Sequence, residues 1–141
     1  MRLIPVDKEN RSAYKVFEQA KDLPTYLSRI YPNLEASYLK WMYIEEDGNY
    51  IGSVWLEGQD TRRAKLGIFI ADPAYRDKGI GKYAIQKMIS LAKSDGIDII
   101  TLNVRVGNLR ARKVYDSCGF KEKKRFKKEN GIDVFSMELE L

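Results

Sequence analysis

The sequence contains no histidine, and it contains a single cysteine, Cys118, among its 141 residues. Because zinc in proteins is held mainly by cysteine and histidine, this composition argues against a zinc site of the usual ligand types. The lack of histidine also excludes catalytic pairs of serine or cysteine with histidine. A lone cysteine forms no internal disulfide, which is typical of proteins in a reducing compartment. We therefore expect a cytoplasmic protein without a metal site.

Long apolar segments are lacking as well. No stretch reaches the roughly 18 uninterrupted apolar residues that a membrane-spanning helix needs, and the apolar start at Met1–Pro5 is too short for a secretory signal. No linker, internal repeat or low-complexity stretch divides the chain, which is 44% hydrophobic and 32% charged. These features predict one globular domain, residues 1–141, without membrane association. The net charge of +5 mildly favours anionic partners.

The most informative stretch joins a buried strand to an amphipathic helix. Leu66–Ala71 is apolar at every position, as in a central strand, and apolar residues recur at helical spacing from Ile80 to Ala92. The connection holds two glycines and three cations: Gly79, Gly81, Arg76, Lys78 and Lys82. Glycines and the free N–H groups of a helix N-terminus suit a phosphate. A plain turn with solvated charges has the same composition, so the motif alone leaves both interpretations open.

The remaining elements alternate between hairpins and strand–helix–strand units. Asp47-Gly48 and Asn130-Gly131 predict hairpin turns, and strands are expected at Arg2–Val6 and Asp98–Val106. Together they indicate a mixed α/β sheet, partly antiparallel, whose middle strands run parallel through the helix from Gly79 to Ser94.

Several helices are also predicted. Asn10 or Ser12 is suited to cap a helix that buries Tyr14 and Phe17. Asn33 is suited to cap another helix, which would reach Lys40. A short helix or lid is expected at Thr25–Tyr31. Asn108 is suited to cap a helix that Gly119 ends, and its apolar stripe consists of Ala111, Val114, Tyr115 and Cys118.

Two segments resemble motifs of the GNAT superfamily of N-acetyltransferases. Arg76–Gly81 is similar to the family's R/Q-x-x-G-x-G/A signature, between a strand and a helix as in that family. The segment from Asn108 to Phe120 is similar to N-x-x-A-x-x-h-Y-x-x-x-G-F, where h is apolar. With the helix and strand between them, the motifs cover residues 64–121.

The resemblance implies a three-layer fold with helices on both faces of a mixed, mostly antiparallel sheet, whose central parallel pair splays to admit coenzyme A. The backbone of Phe69, Ile70 and Ala71 would pair with the pantetheine arm of acetyl-CoA. The amides of Arg76, Asp77, Lys78, Gly79, Ile80, Gly81 and Lys82 would cradle the pyrophosphate. Asn108 would touch the pantetheine or fix the strand-to-helix corner. Asp77 departs from the pattern, because an anion beside a pyrophosphate is acceptable only if it faces solvent or pairs with Arg76 or Lys78.

Tyr115 would act as the general acid at the departing sulfur. A tyrosine hydroxyl, with a pKa near 10, can hydrogen-bond or protonate a thiolate whose thiol has a pKa near 8.5. Periodicity alone favours a core tyrosine, and the two motifs together favour the acid. No general base is assigned. Glu45, Glu46 and Glu57 border the expected acceptor side but are interpreted as exposed strand residues. Cys118 is interpreted as a core thiol.

We therefore predict an acetyl-CoA-dependent N-acetyltransferase that moves an acetyl group to a primary amine of a small molecule or protein by direct attack. The alternative is a non-catalytic acyl-CoA-binding regulatory or sensing domain. The basic segment Lys121–Lys128 is interpreted as a solvated hairpin arm rather than a nucleic-acid site. Homodimer formation stays open. Four aromatic residues would wall an acceptor pocket or fill a core: Tyr26, Tyr31, Tyr38 and Trp41.

Overall fold

The computed structural model describes residues 1–19, 31–60 and 62–141. Its strands are β1 (Arg2–Pro5), β2 (Tyr38–Glu46), β3 (Asn49–Gly58), β4 (Arg63–Ile70), β5 (Ile99–Arg105), β6 (Lys121–Lys127) and β7 (Asp133–Glu140). The α-helices are α1 (Ile80–Ser94) and α2 (Leu109–Ser117), and 3₁₀ helices span Arg11–Gln19 and Pro73–Tyr75. Within the described residues, no helix has the length and apolar character needed to span a bilayer.

The described strands form one sheet in the order β1-β2-β3-β4-β5-β7-β6. All neighbours are antiparallel except β4 and β5, which are parallel because α1 crosses between them. The mixed α/β sheet expected from the sequence is confirmed. The Asp47-Gly48 turn also forms as expected, with positive φ at both residues (51° and 80°).

The sheet opens between its two parallel strands. β4 and β5 pair only at Arg63–Lys65 and Ile99–Thr101. Beyond this point β4 stays paired with β3 as far as Ile70, and β5 stays paired with β7 as far as Arg105. The second halves of β4 and β5 therefore diverge and leave a gap inside the sheet.

Packing on the two faces of the sheet gives three layers. Alternation along the strands directs Ile44, Val54, Leu56 and Leu102 to one face, where they pack with the buried side of α1, including Ile85 and Met88. The apolar side of α2 packs against the same cluster. The opposite face carries an aromatic cluster of Trp41, Tyr43, Trp55 and Phe69, covered by Phe17 of the first 3₁₀ helix.

Two helix predictions need correction. The helix expected from Asn33 to Lys40 is absent, because the side chain of Asn33 accepts from the Glu35 N–H in a turn (3.0 Å) and β2 starts at Tyr38, opposite Gly58. Pairing with β3 runs along the whole of β2, so residues 38–40, which the sequence assigned to the end of this helix, are extended instead. The helix expected after Asn10 is present as a 3₁₀ helix and buries Phe17, but the Asn10 side chain accepts from the Asp7 N–H instead of capping it. The Thr25–Tyr31 segment lies outside the described residues except for Tyr31.

Candidate active site

A cleft of about 440 Å³ occupies the gap between β4 and β5. Ile85, Val114 and Tyr115 line it from the face that carries α1 and α2. Phe69, Asn103 and Val134 line it from the other face, as their strand positions require. Residues on both faces of the sheet therefore contribute to the lining of the cleft.

The loop between β4 and α1 closes one end of the cleft. Asp72 fixes its start by accepting from the Ala74 N–H at 2.9 Å. Gly79 precedes α1 with φ of 79°, a conformation that glycine adopts without steric cost. Gly81, in the first turn of α1, faces the cleft, and a Cβ built there would lie 3.8 Å from Ile70 Cδ1. Free N–H groups of the α1 N-terminus thus border an open space next to Gly81.

Cations and one anion surround this loop. Arg76 Nη2 donates to the Ile70 carbonyl at 2.9 Å, so its guanidinium ties the loop to the end of β4. Asp77 has a positive φ of 63° and pairs with Arg110 of α2, with Nε 2.9 Å from Oδ1. The ion-pair partner is therefore Arg110 rather than Arg76 or Lys78, while the carboxylate also faces solvent, which is the other arrangement expected from the sequence. Arg110 lies 33 residues away along the chain, and only the fold brings it to the loop.

The free edge of β4 presents Ile70 to the cleft. The Ala71 N–H already donates to the Ile51 carbonyl on β3 at 2.7 Å. The Phe69 carbonyl lies on the same side, against Gly52 of β3. Because the N–H and C=O groups of successive residues point to opposite sides of a strand, those of Ile70 and Ile68 point toward the gap. Of the three residues expected to meet the pantetheine, Ile70 alone has this orientation, and sequence reasoning overlooked Ile68.

Tyr115 is positioned by α2, which the side chains of Asn108 and Arg112 hold in place. Asn108 Oδ1 accepts from the Ala111 N–H at 3.3 Å and caps the helix, as predicted. Arg112 donates to the Val106 carbonyl (2.8 Å) and pairs with Glu122 (2.9 Å), which anchors α2 to β5 and β6. Half-buried Tyr115 lines the cleft, and its ring centroid is 6.0 Å from that of Phe120.

The structure gathers most of the predicted site residues at this one cleft. Those that line it are Phe69, Ile70, Arg76, Asp77, Gly79, Gly81, Lys82, Asn108 and Tyr115. Ala71, Lys78 and Ile80 do not: Ala71 packs on the aromatic face, Ile80 packs against the main core, and Lys78 is exposed.

The face opposite the helices contributes lining residues that the sequence analysis missed. They are Asn103, Arg105, Lys128, Asn130, Ile132 and Val134. Alternation along β5 places Asn103 and Arg105 on the same face, and this pattern can be read from the sequence alone. The part played by residues 128–134 depends on β7 inserting between β5 and β6, and local sequence does not specify that order.

The carboxylates considered as bases lie away from the cleft. Glu57 is buried, contrary to expectation, with an exposed fraction of 7%, and its Oε2 accepts from the Asn33 N–H at 2.6 Å. It stands opposite Lys65, at the paired end of β4. Glu45 pairs with Arg2, and Glu46 with the N-terminal amine at 3.6 Å. Among the residues that the structure describes, the cleft lining includes one carboxylate, Asp77.

Of the four aromatic residues expected to wall a pocket or fill a core, the three that the structure describes pack in the core clusters on the two faces of the sheet. Tyr31 and Trp41 both contact Tyr14, with ring centroids 4.9 and 5.8 Å away. Tyr38 lies on the other face, where its hydroxyl donates to Asp95 at 2.7 Å. Tyr26 lies outside the described residues.

Two further features of the described residues concern Cys118 and the possibility of a metal site. Cys118 is half-buried on the apolar side of α2, as predicted, and burial raises the pKa of its thiol. Within the described ranges, no three cysteine, aspartate or glutamate side chains are arranged to hold a metal ion.

Comparison with known proteins gives consistent matches. Residues 5–120 match the model of the Acetyltransferase (GNAT) family. The [ribosomal protein bS18]-alanine N-acetyltransferase of Haemophilus ducreyi is 27% identical over 117 residues, which are 83% of this chain and 79% of that protein. The mycothiol acetyltransferase of Beutenbergia cavernae is 28% identical over 83 residues, and the match spans 58% of this chain and only 28% of that protein.

A similar fold occurs in a solved structure. The spermidine N-acetyltransferase of Vibrio cholerae, crystallised with CoA and spermine, aligns with a TM-score of 0.77. The alignment covers 99% of this chain and 94% of that one at 19% sequence identity, so it shows that the two chains have a similar fold and nothing more.

Proposed function

The chain belongs to the acetyltransferase (GNAT) family, whose enzymes acetylate amines with acetyl-CoA, and we propose that it does so by direct attack of a primary amine on the bound thioester. One observation carries the proposal: β4 and β5 part after Lys65 and Thr101, and the cleft between them has Tyr115 on its wall and the α1 N-terminus at its end.

The proposal assigns donor binding to the loop and the free edge of β4. The N–H groups around Gly79 and Gly81 would hold the pyrophosphate, helped by the partial positive charge of the α1 N-terminus. Ile70 would pair with the pantetheine amides as an added strand does, once Arg76 leaves its carbonyl or shares it. Asn108 would hold the corner of α2 beside the pantetheine.

The chemistry follows from the order of bond changes. The amine nitrogen attacks the thioester carbonyl and forms a tetrahedral oxyanion, which collapses as the carbon–sulfur bond breaks. The Tyr115 hydroxyl would donate a hydrogen bond or its proton to the departing thiolate, and in the second case the tyrosinate regains a proton from water. The ammonium group formed by the attack loses its proton to water. No lining carboxylate among the described residues is available as a base except paired Asp77, so water leading to solvent would take this proton.

The non-catalytic alternative is tested in one assay. The protein is incubated with acetyl-CoA and a panel of amines, while free thiol and acetylated product are both measured. Amine-dependent thiol release with matching product supports transfer. Tight binding of acetyl-CoA, seen by calorimetry, without product from any amine would favour a sensing or regulatory domain. The relatives described above are named acetyltransferases, which favours turnover.

A further inference from the structure

The helix that carries Tyr115 is short and lies at the surface. α2 has nine residues, and every one of them keeps some exposure to solvent. Helices shorter than about 12–15 residues are only marginally stable on their own, so their position in a protein depends on tertiary contacts. The location of the Tyr115 hydroxyl in the cleft therefore depends on the contacts that hold α2 against the sheet.

Arg112 of α2 contacts three strands of the sheet through one guanidinium group. Its Nη1 donates to the carbonyl of Val106, directly after β5, at 2.8 Å. Its Nε and Nη2 both donate to Oε1 of Glu122 on β6, at 3.1 and 2.9 Å. The guanidinium carbon lies 4.7 Å from the ring centroid of Phe135 on β7. We call this set of contacts the Arg112 clamp.

The groups that the clamp holds belong to the sheet and its core. The Val106 N–H donates to the Asp133 carbonyl at 3.1 Å, so the end of β5 is tied to β7. The Phe135 ring packs against the main hydrophobic core. Arg112 itself is 26% exposed, so its bonds are partly shielded from water, unlike those of the largely exposed ion pairs on the surface. The clamp thus connects α2 to a fixed part of the structure.

Tyr115 lies between the clamp and a second anchor of α2. Arg112 and Tyr115 are three residues apart, so their side chains occupy neighbouring positions on the helix surface. On the C-terminal side, the Tyr115 carbonyl accepts from the Phe120 N–H at 3.1 Å, and Phe120 is fully buried. Rotation or sliding of α2 on the sheet would displace the Tyr115 hydroxyl, and the clamp and Phe120 together oppose both movements.

The contacts of the clamp require arginine. A guanidinium group is planar, donates in several fixed directions and stacks with its face on an aromatic ring. A lysine ammonium is a compact point charge without a flat face, so it would keep the charge and lose this geometry. Arg112 is not among the described residues that line the cleft, so it acts on the reaction through α2 rather than by touching the substrate.

We infer that Arg112 is a positioning residue, which fixes α2 against β5, β6 and β7 and so holds the Tyr115 hydroxyl where the thioester sulfur departs. The inference rests on the proposed acetyl transfer, with Tyr115 as its general acid, and deepens it. A misplacement of about 1 Å at a catalytic group costs on the order of a hundredfold in rate. Loss of the clamp should therefore slow transfer, while donor binding by the loop before α1 and the edge of β4 is retained.

A double-mutant cycle of Arg112→Met and Tyr115→Phe tests this coupling. Methionine is unbranched and has a helix propensity near that of arginine, but it has no donor groups. Single-turnover transfer from saturating acetyl-CoA to the best amine of the panel is measured for all four proteins, together with acetyl-CoA affinity and melting temperature. Because each rate refers to folded protein with donor bound, a purely structural role would lower the melting temperature and leave the rate unchanged.

We expect Arg112→Met to slow transfer roughly 10- to 100-fold and to change acetyl-CoA affinity less than about threefold. In the Tyr115→Phe background, the same substitution should slow transfer less than about twofold, because the hydroxyl that the clamp positions is already absent. Equal losses in the two backgrounds would show that Arg112 acts independently of Tyr115 and would overturn the inference.

The conservative variant Arg112→Lys completes the cycle. It should transfer at a rate between those of wild type and Arg112→Met, and it replaces Arg112→Met in the same comparison if the methionine variant does not fold. A wild-type rate in the folded variant that is used, together with slow transfer by Tyr115→Phe, would overturn the inference and leave acetyl transfer intact. Absence of product from every amine, together with normal acetyl-CoA binding by the wild type, would overturn both.

Arg125→Met is the matched control. Arg125 on β6 pairs with Asp133 of β7 at 3.2 Å and is 58% exposed, so this ion pair joins two strands that also border the clamp. The substitution removes the same donor groups and the same charge as Arg112→Met, and it should change the transfer rate less than about twofold. A loss as large as that of Arg112→Met would show a general effect of charge or strand pairing and contradict a specific role for Arg112.

Discussion

Arg110, at the start of α2, and Asp77, in the loop before α1, form an ion pair that joins the two elements flanking the cleft, with Nε 2.9 Å from Oδ1. Both side chains are largely exposed (69% and 55%), so the pair contributes little to stability. Its consequence is electrostatic: it holds an anion beside the proposed pyrophosphate site and engages a cation that would otherwise face the phosphates.

Asp77→Asn should therefore bind CoA more tightly, by roughly threefold to tenfold, because it removes one repulsion and releases Arg110. Asparagine tolerates the left-handed backbone at this position, so the free energy of unfolding should change by less than about 0.5 kcal/mol. Calorimetry measures the affinity, and Asp116→Asn on exposed α2 surface is the control with the same charge change. Equal affinities of wild type and Asp77→Asn would mean that the phosphates bind elsewhere.

Gly81 gives a sharper test of the phosphate site. A Cβ there has room in the protein, so Gly81→Ala should fold and should gain up to about 1 kcal/mol of helix stability. Gly81→Asp should weaken CoA binding about a hundredfold, since two charges 5 Å apart repel by about 3 kcal/mol at an effective dielectric constant of about 20. CoA titration of both folded variants measures this. An aspartate variant that binds CoA as tightly as the alanine variant would contradict the assignment.

Stability depends on a buried tyrosine at the opposite end of α1. Tyr38 is 8% exposed and donates to Asp95 at 2.7 Å, and burial together with this carboxylate raises the pKa of its hydroxyl. Tyr38→Phe should lower the free energy of unfolding by about 1–2 kcal/mol, as measured with urea. The matched control is Tyr75→Phe, whose hydroxyl makes an exposed bond to Asp47 at 3.1 Å and should cost less than about 0.5 kcal/mol. Equal losses in the two variants would argue against burial as the cause.

The raised pKa of Cys118 predicts a pH dependence. Burial favours the neutral thiol, so in the native protein alkylation by iodoacetamide should be slower than in the unfolded chain at every neutral pH. The alkylation rate of the native protein should rise only as the pH increases past the usual pKa range of a cysteine thiol. Because the folded form holds its proton to higher pH, this group's contribution to stability is complete below the unfolded pKa and declines as pH rises toward the folded pKa. A native Cys118 that reacts as fast as the unfolded thiol at pH 7 would contradict this.

Local sequence sufficed for the parts of the fold that local physics specifies. The turns at Asp47-Gly48 and Asn130-Gly131, the cap at Asn108 and the buried strand ending at Ile70 all follow from residue preferences and periodicity. The family match over residues 5–120 confirms the resemblance inferred from the two motifs.

What the sequence did not predict depends on contacts between distant residues. The boundary of β2 at Tyr38 follows from pairing with Gly58, and the burial of Glu57 from its contact with the Asn33 N–H. The partner of Asp77 and the lining role of Lys128 both require the tertiary arrangement of α2 and β7. Periodicity identifies which residues lie on the same face of a helix or strand, but it does not predict which other element covers that face.

The proposed acetyl transfer depends most directly on Tyr115, and its role is tested by single-turnover transfer from saturating acetyl-CoA to the best acceptor of the panel. Tyr115→Phe keeps the ring that packs beside Phe120, so its melting temperature and acetyl-CoA affinity should match wild type, while Tyr83→Phe on the exposed side of α1 is the control. We predict a loss of transfer rate of roughly 10²–10⁴-fold, typical of a missing general acid. A Tyr115→Phe protein that is stable, binds acetyl-CoA normally and transfers at the wild-type rate would contradict the role of Tyr115 as the general acid.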